Sequence, residues 1–128
     1  IGYSPMGKGL LTGTITRERV AAWTPKDHRT RDPRFQPPEL EINMEFVEEL
    51  SRIADRFGWR VPELAIAWTL RRPEITAAIV GARSPGQIEE TAKAGERTLT
   101  EEGEALVAVA IERREQALVN RSKTDTSR

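Results

Sequence analysis

The segment that begins at Gly81 has the residue types of a phosphate-binding turn. It follows a predicted strand, residues 75–80, and Ser84 then starts a predicted helix that stops at Gly95. Backbone N–H groups at a helix N-terminus attract anions, and a glycine lets a ligand approach the backbone closely. Arg83 adds a planar, permanently charged guanidinium group, which suits phosphate. These residues predict an anion site where the strand ends.

The same turn has a second interpretation that needs no ligand. Ser84 followed three residues later by Gln87 fits a capping box, in which the two side chains bond backbone N–H groups reciprocally. That motif is common, and the residues alone favour it over phosphate binding. The two interpretations are compatible, since a capped helix end still presents free N–H groups.

A glycine-rich run near the start of the chain is the second candidate site. Residues 1–4 have the character of the end of a strand, which Pro5 and the glycines Gly7, Gly9 and Gly13 stop. On its own such a run is weak evidence for a ligand, and the residues alone favour a tight turn that needs positive φ.

Few other residues suggest chemistry. Tyr3 is expected to pack with its hydroxyl paired, and His28 lies in a charged loop and is expected to be solvated. The run 29–31 carries two arginines that could bind phosphate, but its acidic neighbours favour a solvated loop. The absence of cysteine excludes disulfides and thiolate ligands, and a single histidine argues against a histidine-based metal site.

Apolar spacing, caps and breakers predict the elements that position these segments. Helices are expected at 14–22, 43–57, 62–72, 84–94 and from 100 onward, strands at 1–4 and 75–80, and a long loop at 23–41. Asn43 is expected to be the N-cap of the second helix and Gly58 to end it. The strand 75–80 is apolar and β-branched, so we expect it to be covered on both faces. The alternation of strand and helix indicates an α/β fold.

Composition narrows the class of protein. Twenty basic and twenty acidic residues cancel in a chain of 128 residues, which excludes the basic footprint of a nucleic-acid-binding protein. No apolar run approaches the about 18 residues of a membrane span. The lack of cysteine fits a reducing compartment, so we expect a cytoplasmic location. Residues 1–119 are predicted to form one folded unit, with a polar, disordered tail at 120–128.

In this order and at this separation, the runs 3–13 and 79–90 resemble the last two βα units of an aldo-keto reductase. The resemblance extends from Tyr3 to about Lys93, and the segment 32–36 looks like the arginine-rich segment before the family's seventh outer helix. A whole (β/α)8 TIM barrel needs about 250 residues, so the resemblance implies the C-terminal part of one, helix-rich and with about two short parallel strands. It also implies NADPH-dependent carbonyl reduction in the complete enzyme.

The resemblance assigns each turn to a part of NADPH. Residues expected beside the pyrophosphate, mostly through backbone groups, are Ser4, Pro5, Met6, Gly7, Lys8, Gly9 and Leu10. Residues expected at the adenosine end are Gly81, Arg83, Ser84, Gln87, Glu90 and Thr91. Arg83 and Ser84 match the positions that hold the 2′-phosphate, and Glu90 matches the acidic position that faces the adenine amino group. Thr91 stands where asparagine is typical, which weakens the adenine contact.

The family's catalytic tyrosine, aspartate, lysine and histidine come from its first four strands. By this resemblance the sequence begins at Ile1 within the seventh strand, so it lacks those four catalytic positions. We therefore expect a fragment that is inactive alone. Two other functions stay open: a nucleotide- or phosphate-binding module, and an interaction protein in which half barrels associate. Open strand edges predict such a homo-oligomer.

Overall fold

Two short parallel strands and five α-helices form the computed structural model, which describes residues 2–3 and 5–127. In chain order they are β1 (Gly2–Tyr3), α1 (Arg17–Ala21), α2 (Glu39–Arg56), α3 (Val61–Leu70), β2 (Ala78–Ile79), α4 (Pro85–Ala94) and α5 (Glu101–Thr126). Single 3₁₀ turns lie at Leu10–Thr12, His28–Arg31 and Pro33–Phe35. Gly2 is opposite Ala78 and Tyr3 is opposite Ile79 in the two-stranded sheet. Because parallel strands share their direction, the turns that follow β1 and β2 leave the same edge.

The hydrophobic core lies where α2 and α3 meet the start of α5. Its buried members are Leu50, Ile53 and Ala54 from α2, Val61, Leu64 and Ala67 from α3, and Leu99, Val107 and Ala110 from the last part of the chain. Burial of each side chain of leucine size stabilises the fold by about 1.5–3 kcal/mol. This core fixes α3, against which α4 packs.

Several local features of the structure agree with the sequence prediction. Ser84 Oγ accepts the Gln87 N–H, and Thr100 Oγ1 accepts the Gly103 N–H, so both residues are N-caps. Gly58 follows α2 with a φ of 67°, the left-handed conformation that glycine tolerates. The short helix predicted at 14–22 is present as α1.

The N-terminus of α2 differs from the prediction. The helix begins at Glu39, directly after Pro38, so Asn43 is not its N-cap. The Leu40 N–H donates to the Gln36 carbonyl, which extends the first turn backwards along the chain. Asn43 is instead fully buried inside the helix. The asparagine side chain finds partners outside its own helix, as described below.

The second strand is shorter than predicted. Only Ala78 and Ile79 of the expected strand 75–80 pair in the sheet, and Ile79 is 55% exposed. The expectation of cover on both faces is therefore wrong for the described part of the chain. Strand length depends on neighbouring strands, and here β2 has β1 as its one pairing partner among the described residues.

The C-terminal segment also differs from the prediction. Helix α5 continues to Thr126, where the sequence predicts a disordered tail from Asn120. Polar side chains bond within the helix: Thr124 Oγ1 donates to the Asn120 carbonyl and Thr126 Oγ1 to the Ser122 carbonyl. These bonds satisfy the threonine hydroxyl groups within the helix. None of the helices in the described ranges has the length and apolarity needed to cross a membrane.

Candidate functional site

The two glycine-rich turns face one cleft. This cavity has a volume of about 770 Å³ and lies between the turn after β1, the start of α3, and the segment that joins β2 to α4. The first turn contributes Pro5, Met6, Lys8 and Gly9, and the second segment contributes Gly81, Arg83, Gln87, Glu90 and Thr91. Gly7, Leu10 and Ser84 do not line the cavity, and Ser4 lies outside the described residues. Most of the residues predicted to bind one ligand thus share one cavity.

The first turn is shaped by three consecutive residues with positive φ. Gly7, Lys8 and Gly9 have φ values of 55°, 57° and 93°. The Gly9 and Leu11 N–H groups both donate to the Met6 carbonyl at 3.1 Å, which closes the turn. Leu10, although it does not reach the cavity, is buried and anchors the turn to the protein. The sequence prediction of a turn that needs positive φ is therefore confirmed.

The second turn contains a capping arrangement. Gln87 donates its N–H to Ser84 Oγ at 3.3 Å, and its side-chain Oε1 accepts the Arg83 N–H at 2.7 Å. The return bond thus reaches Arg83 rather than the cap residue itself. Ser84 is engaged as a helix cap and is not among the residues that line the cavity.

Arg83 and Gly81 keep the approach to this turn open. A Cβ placed on Gly81 would meet no atom within 4 Å. Among the described residues, the Arg83 guanidinium group has neither a hydrogen bond nor an ion pair, and Arg83 is exposed. A charged fork without a protein partner beside an accessible backbone has the geometry to receive a phosphate group.

Glu90 is paired across the cavity with a residue that the sequence did not suggest. Arg60, directly before α3, places Nη1 2.7 Å from Glu90 Oε1. Both side chains are more than half exposed, so solvent screens the pair. The remaining carboxylate oxygen of Glu90 is left to accept a hydrogen bond from a ligand.

Arg29 is the clearest case of a cavity residue that the sequence did not predict. Its side chain is 17% exposed and lines the cavity, whereas the sequence predicted a solvated loop. Asp27 accepts hydrogen bonds from Arg29 Nε at 3.0 Å and from Nη2 at 2.7 Å. The guanidinium carbon lies 4.0 Å from the ring centroid of Trp23, a cation–π contact. The acidic neighbour that suggested a solvated loop therefore orients the arginine.

This arrangement points the third guanidinium nitrogen at the first turn. Arg29 Nη1 would lie 3.7 Å from a Cβ built on Gly9. The Arg29 side chain, hydrogen-bonded to the Asp27 carboxylate, holds the pKa of that carboxyl well below its usual range, and the contact raises the pKa of Arg29. The charge on Arg29 is thus fixed beside the backbone of the turn. His28 is exposed and does not line the cavity.

Lys8 connects the first turn to the same loop. Its Nζ donates to Asp32 Oδ2 at 3.1 Å, and Asp32 also accepts from Arg34 Nε at 3.0 Å and Nη2 at 2.7 Å. The hydrogen bond from Arg34, more than the one from Lys8, holds the pKa of the Asp32 carboxyl well below its usual range. The segment 32–36 therefore supports the cavity wall.

Positive charge prevails in the cavity. Six cationic side chains and two carboxylates line it: Lys8, Arg19, Arg29, Arg60, Arg83 and Lys93, with Glu63 and Glu90. Lys8, Arg29 and Arg60 are paired with Asp32, Asp27 and Glu90, and the cations that remain favour an anionic ligand. The lining residues that the structure describes include neither a histidine nor a tyrosine. Within the described ranges, no three histidine or acidic side chains are grouped closely enough to hold a metal ion.

Comparison with known proteins gives one consistent family. Residues 1–111 match the family model described as the aldo/keto reductase family. The chain is 34% identical over 111 residues to aldo-keto reductase YhdN of Bacillus subtilis, covering 86% of this chain and 33% of that protein. It is 32% identical over 114 residues to the NADH-specific methylglyoxal reductase of Escherichia coli, covering 87% of this chain and 34% of that protein.

A solved structure agrees with these sequence matches. The glycerol dehydrogenase AKR11B4 from Gluconobacter oxydans superposes with a TM-score of 0.78 at 30% identity, covering 88% of this chain and 33% of that one. This chain therefore spans about a third of the length of the proteins that it matches. The predicted fold class, part of a barrel with two short parallel strands, is confirmed.

Proposed function

The chain belongs to the aldo/keto reductase family, and from this premise we propose that it forms the cofactor-binding part of an NADPH-dependent carbonyl reductase. In the complete enzyme a hydride would pass from the nicotinamide ring to an aldehyde or ketone. Since the chain spans a third of its relatives, that whole activity is a proposal about a larger protein.

The observation that carries the proposal is the shared cavity. Turns that are 70 or more residues apart in sequence reach the same space, and their predicted ligand-binding residues make up much of its lining. Its volume of about 770 Å³ lies within the about 300–1,000 Å³ typical of small-molecule sites. Six cations around it suit a dinucleotide that carries a pyrophosphate and a further phosphate.

Each end of the cavity suits a different part of NADPH. The turn at 7–9, with Lys8 and the fixed charge of Arg29, suits the pyrophosphate. The unpartnered Arg83 fork suits the 2′-phosphate. Glu90 has a carboxylate oxygen available for the adenine amino group, with Thr91 and Gln87 beside it.

The preference for NADPH over NADH rests on Arg83 and not on family membership alone. A related Escherichia coli protein carries the name NADH-specific methylglyoxal reductase, so relatives differ in their choice of cofactor. Only NADPH carries the 2′-phosphate that a guanidinium fork would bind. A charge-assisted bond of this kind contributes about 1.5–3 kcal/mol.

The chain is proposed to be inactive alone. When bound, the nicotinamide supplies the hydride, but reduction of a carbonyl group also needs a proton donor near the carbonyl oxygen. The lining residues that the structure describes include no tyrosine or histidine for that role. The chain's own residues would bind and orient the cofactor. A cytoplasmic location belongs to the same proposal, since a cysteine-free sequence fits a reducing compartment.

Isothermal titration calorimetry on the 128-residue chain tests the binding proposal. NADP⁺ and NAD⁺ are titrated in parallel, with ATP as a nucleotide that lacks the 2′-phosphate. Tight binding of NADP⁺ with clearly weaker binding of NAD⁺ is the expected result. Equal affinity for the two dinucleotides would contradict the role of Arg83, and the absence of binding to all three would contradict the cofactor-binding proposal.

Exposed apolar side chains favour self-association as a second function of the isolated chain. Ile79, on β2, is 55% exposed, and Ile88, on α4, is 58% exposed. Each strand of the described two-stranded sheet also has one edge without a pairing partner. Open edges next to apolar side chains promote strand pairing between molecules, so we propose a homo-oligomer.

A further inference from the structure

Asn43 joins three parts of the chain through one buried side chain. It lies in α2 with 0% exposure. Its Nδ2 donates to the Arg34 carbonyl at 2.9 Å, and its Oδ1 accepts from Arg114 Nε at 2.6 Å. Arg114 belongs to α5 and lies 71 positions further along the chain. The amide thus uses its donor on the loop before α2 and its acceptor on the C-terminal helix.

The contacts continue from Arg34 to the cavity. Arg34 donates both its backbone N–H and its guanidinium group to Asp32. Asp32 in turn accepts from Lys8, which lines the cavity. Exposure of the side chains varies along this route: Asp32 is 10% and Arg114 23% exposed, whereas Arg34 is 36% and Lys8 42% exposed. A continuous series of polar contacts, here called the polar relay, runs from Arg114 through Asn43, Arg34 and Asp32 to Lys8.

The outer end of the polar relay lies beyond the part of the chain that the family model describes. That model matches residues 1–111, and Arg114 follows it. Arg114 Nη2 also lies 3.6 Å from Oε1 of Glu39 at the start of α2, so Arg114 holds α5 to the first turns of α2. A buried amide left without one of its partners is costly, which makes the position of the Arg34 carbonyl depend on Asn43.

We propose that Asn43 and Arg114 are positioning residues that hold the loop 29–36, and through it Lys8, at the wall of the cavity. The position of Lys8 follows from the contacts alone, whereas its effect on a dinucleotide rests on the function proposed above. Variants that remove contacts at the outer end of the polar relay measure the coupling between Arg114 and the cavity.

Amide hydrogen exchange tests the polar relay without any ligand. Arg114→Met keeps the aliphatic stem and removes the bond to Asn43. We expect faster exchange, by about three- to ten-fold, in residues 29–36 and in the turn 6–12. Arg113→Met, next along the helix, removes the ion pair with Glu49 instead. Glu39→Gln removes the second partner of Arg114 and spares the amide bond. Both controls should leave the two segments unchanged.

Two results would overturn the proposal. One is an Arg114→Met protein whose exchange changes only within α5. The other is an equal change in the Arg113→Met or Glu39→Gln protein, which would show a general loosening of the helix pair. Thermal unfolding of all variants separates these outcomes from global destabilisation. Asn43→Asp is a second test variant, because a carboxylate cannot donate a hydrogen bond to the Arg34 carbonyl.

A double-mutant cycle then measures the effect on the cavity. NADP⁺ affinity should fall about three- to ten-fold in Arg114→Met, and Arg114→Met should have no further effect once Lys8→Met is present. Equal losses in both backgrounds would contradict action through Lys8. If the unmodified chain does not bind NADP⁺, the proposed function fails, and the exchange experiment alone decides the positioning proposal.

Discussion

Lys8 and Asp32 are 24 residues apart and meet at 3.1 Å, Nζ to Oδ2, where the first glycine-rich turn touches the loop before α2. Lys8 also has a φ of 57°, a backbone conformation that residues other than glycine rarely adopt. The ion pair joins the two ends of the long connection between β1 and α2. It therefore links the shape of the turn to the position of the loop.

The contribution of Asp32 to stability should depend on pH. Its hydrogen bond with Arg34 lowers the pKa of the folded-state carboxyl below the ordinary value of 3.8. The folded state therefore binds fewer protons than the unfolded state at pH values around 3.8 and below it, until the folded-state carboxyl is protonated as well. Stabilisation by Asp32 is complete above about pH 5 and is lost as the pH falls below 3.8 towards the folded-state pKa.

Urea unfolding of the parent chain and Asp32→Asn at pH 7, 5 and 2.5 checks this. The difference in unfolding free energy should be the same at pH 7 and 5 and smaller at pH 2.5. Asp55→Asn, at an exposed position of α2, should change stability by less than about 0.5 kcal/mol at pH 7. A difference for Asp32→Asn that grows on acidification would contradict the assignment.

Substitution of Arg83 should remove the discrimination between NADP⁺ and NAD⁺. Loss of a charge-assisted bond of about 1.5–3 kcal/mol lowers the affinity for NADP⁺ by about ten- to a hundred-fold, and the affinity for NAD⁺ should hardly change. Calorimetry on Arg83→Ala measures this directly. Arg83→Lys keeps the charge without the planar fork and should retain part of the preference. Lys93→Ala also removes a cation from the cavity and should lower the affinity for both dinucleotides equally.

The Arg60–Glu90 pair should matter for ligand choice more than for stability. Both side chains are exposed, so Arg60→Met should change the unfolding free energy by less than about 1 kcal/mol. Without Arg60, the Glu90 carboxylate is no longer held in position. The preference of the protein for NADP⁺ over its hypoxanthine analogue, which lacks the adenine amino group, should therefore fall. Competition binding against the two nucleotides measures the ratio, and Glu90→Ala should abolish it. An unchanged ratio in Glu90→Ala would show that Glu90 does not face the base.

Phe35 should be the most important single side chain in the loop before α2. It has 0% exposure and contacts Trp23 edge to face, with ring centroids 5.1 Å apart. Phe35→Ala should cost about 3–5 kcal/mol of unfolding free energy, measured by chemical denaturation. Val119→Ala, at a site 48% exposed on α5, should cost less than about 0.5 kcal/mol. A small cost at Phe35 would mean that the loop is not part of the folded core.

Self-association should depend on the exposed face of β2. Light scattering coupled to size-exclusion chromatography should give the mass of a dimer or larger oligomer for the parent chain at micromolar concentration. Ile79→Lys places a charge beside the open strand edge and should shift the mass towards that of a monomer. Val109→Lys, also at an exposed apolar position but on α5, is the control and should leave the oligomer intact. A monomeric parent chain would contradict the proposed assembly.

Features that depend on local sequence were predictable. Ser84 and Thr100 cap helices because their own hydroxyl groups reach backbone N–H groups three residues later. Gly58 takes a positive φ because glycine alone does so without strain. The two turns were assigned to one ligand by the resemblance to the family, and the parallel pairing of β1 and β2 is the physical reason that they meet.

Features that depend on distant partners were not predictable. Asn43 has the chemistry of an N-cap, and its burial inside α2 is favourable because the Arg34 carbonyl and Arg114, which lies 71 residues away, satisfy its amide. Arg29 was expected to be solvated because nothing in its local sequence shows that its side chain lies beside Gly9, 20 residues earlier, at the cavity. The length of β2 depends on which strands lie next to it. In each case the missing information is a contact between segments.

The buried amide of Asn43 also has a consequence for how α2 and α5 align. Apolar side chains such as Val107 and Ala110 would make similar contacts if α5 slid by one turn along α2, because their attraction has no direction. The amide makes one hydrogen bond through its Nδ2 and one through its Oδ1, and a slide would separate the Oδ1 from Arg114. Asn43 therefore favours one register of the two helices, together with the Arg56–Glu102 and Arg113–Glu49 ion pairs, out of the alignments that the apolar surface alone would accept.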